Sequence, residues 1–264
     1  MSHEERVALG YRPGFGMTFT ASCDSGTLNL VRVELPEVAG STNRALHYYV
    51  PTLGAPPIHW QPGGPGVWRF RSERPNDVAV EGLMELGDEI VNMTLSISNL
   101  GERVFEGVGA GVCVQLAAAP SFRDPERRRT VVFESGSPVS LYDIEQRDGF
   151  RGLKYLAKGA EPAPGFAPGE APPKGQEWAR SSCFQPDEAL VCVASPSGQW
   201  TLGLMCQDSR YVFTNPMGCL CCIHADPVFG EIRPGQSVTR RGWIVIVNAP
   251  PEEARRRLLA LRSG

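Results

Sequence analysis

Long apolar runs are absent from this sequence. No stretch of its 264 residues approaches the ~18 consecutive apolar residues that a membrane-spanning helix needs, so we expect no membrane partner. The N-terminal stretch MSHEERVALGYRPGFG contains acids and lacks the apolar core of a secretory signal. We therefore expect a cytoplasmic protein whose eight cysteines are reduced thiols.

Strong charge and familiar catalytic motifs are also scarce. The net charge of −3 does not favour a nucleic-acid partner. The sequence has four histidines and no Gly-x-Ser-x-Gly elbow, which leaves a serine hydrolase without support. The glycine-rich stretch at 63–66 is not followed by Gly-Lys-Ser/Thr, so it is not a phosphate loop. We predict no cofactor, and the oligomeric state stays open.

Alternation of apolar and polar residues is the recurrent pattern. Odd positions of Val91–Ser98 are apolar and even positions polar, as in a strand with one buried face. We predict that this strand and Val108–Leu116 form a hairpin. Further strands are predicted at 28–35, 45–50, 67–71, 130–134, 189–194, 200–206, 218–224 and 238–247. Short strands at this spacing, separated by glycine and proline, predict an all-β antiparallel sandwich.

One helix is predicted, at the C-terminus over residues 250–261. Prolines and acids at its start suit a helix N-terminus, and Ala254, Leu258 and Leu261 share a face that we expect to pack on a sheet. The run Arg255–Arg257 is interpreted as a solvated helix face. Residues 159–177 contain five prolines and four glycines, which predicts a surface loop or flap. We expect a single domain over 1–264 with this loop as an insertion.

The stretch GCLCCIHADPVFGE at 218–231 concentrates candidate chemistry. If 218–224 is a strand, Cys222 and His224 share a face and Cys221 points to the other side. Three interpretations stay open: buried structural cysteines, a metal site using Cys222 and His224, or a Cys222 thiolate activated by His224. We also expect His224 at the strand end, as a general acid or base oriented by Asp226 in the following turn.

A second cluster contains candidate ligand-binding side chains. Trp60 and Trp68 flank a glycine–proline loop beside His59 and Arg69, and flat indoles near hydrogen-bonding groups suit a sugar ring. Packing of both tryptophans in the core is the alternative. Gln115 shares a strand face with Cys113 and would line a pocket if buried. We expect these residues and His224 to converge on one concave sheet face, with no metal in the leading interpretation.

Residues 224–238, HADPVFGEIRPGQSV, lead into a strand ending at Val247. This segment resembles the closing part of the galactose mutarotase-like (aldose 1-epimerase-like) β-supersandwich superfamily, and Met93–Asn99 with Val108–Leu116 resembles the middle of those sheets. The resemblance implies a supersandwich fold that binds carbohydrate in a groove on one sheet. Epimerases of that superfamily use a histidine–glutamate pair. The expected His-Pro motif is missing from residues 112–122, so only the fold and the substrate class carry over.

The leading hypothesis is a carbohydrate-processing protein, an epimerase, lyase or hydrolase acting on a small-molecule sugar or polyol. His224 would act as acid/base with Asp226, and His59, Trp60, Trp68, Arg69 and Gln115 would bind the substrate. The alternative is a non-catalytic carbohydrate-binding or assembly module. The third option is a metal-dependent enzyme that uses Cys222 and His224.

Overall fold

A computed structural model gives the structure of residues 7–12, 16–23, 26–42, 44–48, 58–163, 166–171, 180–216 and 221–264. Within these residues the chain forms seventeen strands and two helices. The elements are β1 (Val7–Arg12), β2 (Gly16–Cys23), β3 (Thr27–Ser41), β4 (Arg44–Tyr48), β5 (Gln61–Gly64), β6 (Val67–Arg74), β7 (Val78–Gly87), β8 (Ile90–Asn99), β9 (Phe105–Gln115), β10 (Thr130–Glu134), β11 (Ser137–Ser140), α1 (Leu141–Asp148), β12 (Lys154–Leu156), β13 (Leu190–Ala194), β14 (Thr201–Cys206), β15 (Ser209–Asn215), β16 (Cys222–Ile232), β17 (Ser237–Val247) and α2 (Pro251–Ser263).

The strands form two antiparallel sheets. The eight-stranded sheet has the order β1-β2-β3-β9-β16-β15-β12, with β4 paired to β3. The nine-stranded sheet has the order β11-β10-β13-β14-β17-β8-β7-β6-β5. The predicted all-β sandwich with a C-terminal helix is confirmed.

The core lies between the two sheets and follows the alternation seen in the sequence. Val91, Met93, Leu95 and Ile97 of β8 are each no more than 2% exposed, and all belong to the main apolar cluster. The same cluster contains the inward-facing residues of β3 and β9, such as Val33 and Val114. Period-two burial on both sheets therefore encloses one continuous apolar layer.

The predicted hairpin of β8 and β9 is wrong. β8 pairs with β7 and β17 in the nine-stranded sheet, whereas β9 pairs with β3 and β16 in the eight-stranded sheet. The segment after Asn99 therefore crosses from one sheet to the other. Alternation shows which face of a strand is buried but not which strand lies beside it, and the hairpin partner of β8 is the unpredicted strand β7.

Most of the other predicted strands are present. The predicted strand at 130–134 coincides with β10, and those at 189–194, 200–206 and 238–247 correspond to β13, β14 and β17 within one residue at each end. The predicted strand at 218–224 instead begins at Cys222 and continues to Ile232. Residues 218–220 of that prediction lie outside the described residues.

A second helix, α1, was not predicted. Its N-cap is Ser140, whose hydroxyl accepts a hydrogen bond from the Asp143 backbone N–H at 3.0 Å, and Gly149 ends the helix with φ of 70°. Ser-x-x-Asp before a short apolar-periodic segment and a glycine after it are the signals that could have indicated it. No helix of the described residues is long and apolar enough to cross a membrane.

The C-terminal helix α2 packs on the outer face of the nine-stranded sheet, as predicted. Ala254 and Leu258 are fully buried in a second apolar cluster with Met205 and Trp243, and Leu261 packs against its edge. A Cβ atom at Gly203 of β14 would lie only 2.9 Å from Leu258 Cδ1, so glycine permits this close approach. Each arginine of Arg255–Arg257 contacts a carboxylate.

The proline- and glycine-rich loop contains no helix or strand in its described residues, 159–163 and 166–171. The other residues of the predicted loop, 164–165 and 172–177, lie outside the described residues.

We predict that Leu258→Ala lowers the free energy of unfolding by about 2–5 kcal/mol, because it removes a fully buried side chain and leaves a cavity under α2. Urea unfolding followed by circular dichroism measures the change. Leu28→Ala is the control, since Leu28 is 65% exposed, and it should change stability by no more than about 0.5 kcal/mol. Equal stability of both variants would contradict the packing of α2.

Candidate functional site

A row of polar and aromatic side chains crosses five neighbouring strands of the eight-stranded sheet. The residues directly opposite one another are Glu34 on β3, Cys113 on β9, His224 on β16, Phe213 on β15 and Lys154 on β12. Directly opposed residues of antiparallel strands share a face. The row therefore lies on one face of the sheet.

A second row lies beside the first on the same face. It contains Arg32, Gln115, Cys222 and Asn215, which are again directly opposed across β3, β9, β16 and β15. The residues between the two rows, including Val33, Val114 and Ile223, point into the core. The two rows therefore lie on the outer face of the sheet, away from the interior of the sandwich.

An irregularity in β3 brings further acidic groups to these rows. The pairs Glu34–Cys113 and Val38–Gly111 flank a bulge in which residues 35–37 oppose Val112 alone. The bulge places the Glu37 Oε2 atom 3.8 Å from Nδ1 of His224. The backbone N–H of Val112 donates instead to Asp226 Oδ1 at 2.9 Å. A β-bulge re-aims side chains in this way at many functional sites.

His224 lies at the centre of the cluster and both of its ring nitrogens have close partners. Nε2 is 3.3 Å from Cys222 Sγ, and Nδ1 is 3.4 Å from Asp226 Oδ1. The Phe213 ring meets the imidazole edge-on, with centroids 4.8 Å apart. The histidine is only 4% exposed although it faces away from the core.

Burial opposes a positive charge on His224, but hydrogen bonds to Asp226 and Cys222 outweigh it and hold the pKa of the imidazole well above its ordinary value. The hydrogen bond from Cys113 is the largest influence on Cys222 and, together with His224, lowers the pKa of the Cys222 thiol despite its burial. The same hydrogen bond, with burial, raises the pKa of Cys113. The arrangement therefore favours an imidazolium beside a thiolate.

The carboxylates at the edge of the cluster respond mainly to burial. Burial raises the pKa of Glu37 to about 7, aided by Glu34 and opposed by His224. Burial also raises the pKa of Glu34. The Arg32 guanidinium acts in the opposite direction, with its Nη2 atom 2.6 Å from Glu34 Oε1. Burial lowers the pKa of Lys154, with the charge of Asp226 acting in the opposite direction.

Three side chains of the cluster have the chemistry and spacing of metal ligands. The sulfurs of Cys113 and Cys222 and a ring nitrogen of His224 all lie within 4.8 Å of one another, and all three residues are buried. Oxygens of Glu34 and Glu37 form a second such group with the Cys113 sulfur. Thiolate, imidazole and carboxylate are the ligands that zinc uses in proteins.

One edge of the site is covered by the proline- and glycine-rich loop. The Lys154 ammonium lies 3.5 Å from the centre of the Phe166 ring. The Tyr211 hydroxyl accepts a hydrogen bond from the Ala163 backbone N–H at 2.7 Å and donates to the Phe166 carbonyl oxygen at 3.3 Å. The described part of the loop thus packs on the same sheet face as His224.

The structure brings together His224, Asp226 and Gln115, and Cys222 lies on the predicted face with His224. Cys221 points elsewhere, as predicted, and its sulfur accepts a hydrogen bond from the Asp124 backbone N–H at 3.3 Å. The expected position of His224 at a strand end is wrong. β16 continues to Ile232 through Asp226 and Pro227. The Asp-Pro pair therefore lies inside the strand and does not start a turn.

The expected convergence with His59 and Arg69 is also wrong. These two residues are exposed and line a groove on the outer face of the nine-stranded sheet, on the opposite layer from His224. Trp60 is 5% exposed and packs edge-on against Phe70 in the core, with centroids 4.8 Å apart, and Trp68 packs against the same core. Alternation along β6 turns Trp68 inward and Arg69 outward, so the two cannot share a pocket.

Sequence reasoning missed Glu34, Glu37, Cys113 and Lys154 as members of this site. Glu34 falls in the predicted strand at 28–35 as an acid among valines and leucines, which was a usable signal. No sequence signal points to Glu37 or Lys154, because neither the bulge in β3 nor the short strand β12 has a clear pattern in the sequence.

We predict that Asp226→Ala lowers the free energy of unfolding by about 1–3 kcal/mol, because it leaves the buried backbone N–H of Val112 without an acceptor. Asp226→Asn should lose less, since the amide oxygen can still accept that hydrogen bond. Urea unfolding compares the two variants. Glu231→Gln, an exposed substitution on the same strand, is the control and should match wild type. An Ala variant as stable as the Asn variant would contradict the assigned role of Asp226.

No family model matches this sequence, and no curated protein matches it. Several solved structures are similar to it at low identity. An aldose epimerase homologue from C. elegans is 7% identical with a TM-score of 0.49, over 88% of this chain and 92% of that chain. A galactose mutarotase-like protein from Lactobacillus casei is 9% identical with a TM-score of 0.48, over 91% of this chain and 100% of that chain.

A galactose 1-epimerase from Lactobacillus acidophilus is 9% identical with a TM-score of 0.44, over 92% of this chain and 98% of that chain. The chain is similar in structure to these galactose mutarotase-like and epimerase structures.

Proposed function

We propose that this chain processes a small carbohydrate on the outer face of the eight-stranded sheet, with Glu37 and His224 as its acid/base pair. The observation that carries the proposal is the pair of polar rows across β3, β9, β16, β15 and β12, centred on His224. Such a face meets the needs of a sugar, whose hydroxyls both donate and accept hydrogen bonds.

The half-buried residues around the centre supply those partners. Gln115 and Asn215 carry amides that donate and accept, and Arg32 and Lys154 supply cationic donors. Phe213 offers an aromatic edge beside the imidazole. We therefore place the sugar over β9 and β16, where it would contact Gln115 and the Glu37 carboxylate.

Glu37 is the acidic group of the pair that reaches solvent, with 32% of its side chain exposed against 5% for His224. Its Oε2 atom is 3.8 Å from Nδ1 of His224, and Asp226 contacts the same nitrogen. In this proposal Glu37 exchanges a proton with the substrate, His224 supplies the counterpart proton at Nδ1, and Asp226 fixes the ring orientation.

The simplest reaction for this pair is the interconversion of the two anomers of an aldose. The Glu37 carboxylate takes the proton of the C1 hydroxyl, the bond from C1 to the ring oxygen breaks, and the ring oxygen receives a proton from the His224 imidazolium. Rotation of the resulting aldehyde and the reverse steps give the other anomer. The reaction needs one acid and one base and no oxidant or reductant.

We predict that Glu37→Gln lowers kcat for anomer interconversion by roughly 10²–10⁴-fold with little change in KM, because the amide binds sugar but takes no proton. Polarimetry or NMR exchange spectroscopy over a panel of aldoses measures it. Glu231→Gln, on the far, exposed end of β16, is the matched control and should retain wild-type kcat. Wild-type kcat in Glu37→Gln would remove Glu37 from the reaction.

Calorimetry can show whether the wild-type protein binds aldoses. Binding without faster interconversion would contradict the proposed catalysis and would favour a non-catalytic carbohydrate-binding module. Absence of both binding and turnover across the panel would overturn the carbohydrate proposal altogether.

A second prediction tests which sheet binds the sugar. We expect Gln115→Ala to raise KM by about threefold to tenfold, since it removes one hydrogen-bonding group from the proposed face. Arg69→Ala changes the outer face of the nine-stranded sheet and should leave KM unchanged. The reverse pattern would move the site to the groove lined by His59 and Arg69.

A further inference from the structure

We propose that Cys113, Cys222 and His224 form a zinc-binding site on β9 and β16. The proposal goes beyond the carbohydrate proposal and does not rest on it. Zinc would use Nε2 of His224, whereas the proposed acid/base pair uses Nδ1 of the same ring. Zinc content is measured without sugar, so its test does not depend on whether the chain turns over a sugar.

The spacing of the ligand atoms fits a tetrahedral zinc ion. Zinc–sulfur bonds of about 2.3 Å and zinc–nitrogen bonds of about 2.0 Å imply a sulfur–nitrogen separation of roughly 3.5 Å. Cys222 Sγ and His224 Nε2 are 3.3 Å apart, and the sulfur of Cys113 lies within 4.8 Å of the other ligand atoms. A small adjustment of the side chains therefore brings all three to bonding distance of one ion.

The strand pairing fixes these ligands before any ion binds. Cys113 is directly opposite His224. Cys222 precedes His224 by two residues on β16 and lies on the same face. All three lie on the neighbouring strands β9 and β16, neither of which is an edge strand, because β3 pairs with β9 and β15 pairs with β16. Ligands held by regular strands need little reorganisation, which favours binding.

The contacts of the other ring nitrogen match those of a zinc-bound histidine. Nδ1 of His224 faces Asp226 Oδ1 at 3.4 Å, and the same oxygen is held by the Val112 backbone N–H at 2.9 Å. Zinc-ligating histidines typically donate their second N–H to a carboxylate, which sets the ring orientation and makes the ligand more basic. The carboxylate here is itself anchored to the backbone.

Ligand type and count indicate the metal and its coordination. Two thiolates and an imidazole favour zinc over magnesium or calcium, which prefer oxygen ligands. Three protein ligands leave a fourth position, which a water can occupy. Binding releases two protons to solvent, one from the Cys113 thiol and one from the Cys222–His224 pair.

The test is metal analysis of the full chain, produced without a histidine tag and purified without chelator. We expect about one equivalent of zinc per chain by mass spectrometry. Cys113→Ala and Cys222→Ala should each hold no more than about a tenth of an equivalent. Cys192→Ala is the matched control, because Cys192 is equally buried but lies in the cluster under α2, and it should retain the wild-type content.

A spectroscopic readout keeps the test independent of variant folding. Cobalt added to chelator-treated wild-type protein should give intense thiolate-to-cobalt charge-transfer absorption that zinc abolishes. Asp226→Asn should weaken the affinity for cobalt by roughly 10–100-fold, because the histidine loses its oriented partner.

Three outcomes would overturn the proposal. In the first, wild-type protein holds less than about a tenth of an equivalent of zinc and binds no cobalt at thiolates. In the second, both alanine variants retain full zinc content. In the third, peptide mapping finds a disulfide between Cys113 and Cys222 in metal-free protein purified under reducing conditions, which would make the pair a redox site instead.

Discussion

The lateral register of β3, β9 and β16 decides what this molecule can do. Glu34, Cys113 and His224 meet because these strands pair at one particular offset, and a slip of one residue would turn all three into the core. The register is held from inside by Val33, Val114 and Ile223, which occupy the alternate positions and are buried between the sheets. Apolar packing on one face of the sheet therefore fixes a polar arrangement on the other.

The sequence predicted features that depend on residues close together in the chain, and it did not predict those that depend on residues far apart. Alternation revealed most strands, and it placed Cys222 and His224 on one face of β16, because a strand's period is a local property. The partners of that face come from Cys113 and Glu34, over a hundred residues away along the chain from His224. Their proximity depends on strand order, which alternation does not encode. The wrong hairpin of β8 and β9 and the misplaced cluster of His59 and Arg69 have the same cause.

The outer faces of the two sheets differ in how they are covered. α2 shields part of the nine-stranded sheet with Ala254 and Leu258, and the groove beside it, with Arg69 and Glu81, is open. Among the residues that the structure describes, no second apolar cluster covers the centre of the outer face of the eight-stranded sheet, yet His224 and Cys222 are each 4% exposed. Of the described residues, Phe213 packs edge-on against the His224 ring, and Glu37 of the bulged segment of β3 lies beside it. A buried group of polar side chains on an outer sheet face therefore distinguishes the eight-stranded sheet from the nine-stranded one.

That arrangement carries a physical cost that constrains its interpretation. Burying a thiol pair, an imidazole and carboxylates is unfavourable unless each group has a partner, since a buried charge without one destabilises the fold by several kcal/mol. Here the groups partner one another: Cys222 with His224, His224 with Asp226, and Asp226 with the Val112 backbone. If these residues only stabilised the fold, valine or leucine would fill their positions as well, because apolar side chains need no hydrogen-bonding partners. This hydrogen-bonded series lies on β16 and β9 and is anchored to the backbone at one end, so its geometry is fixed in the way that a binding site requires.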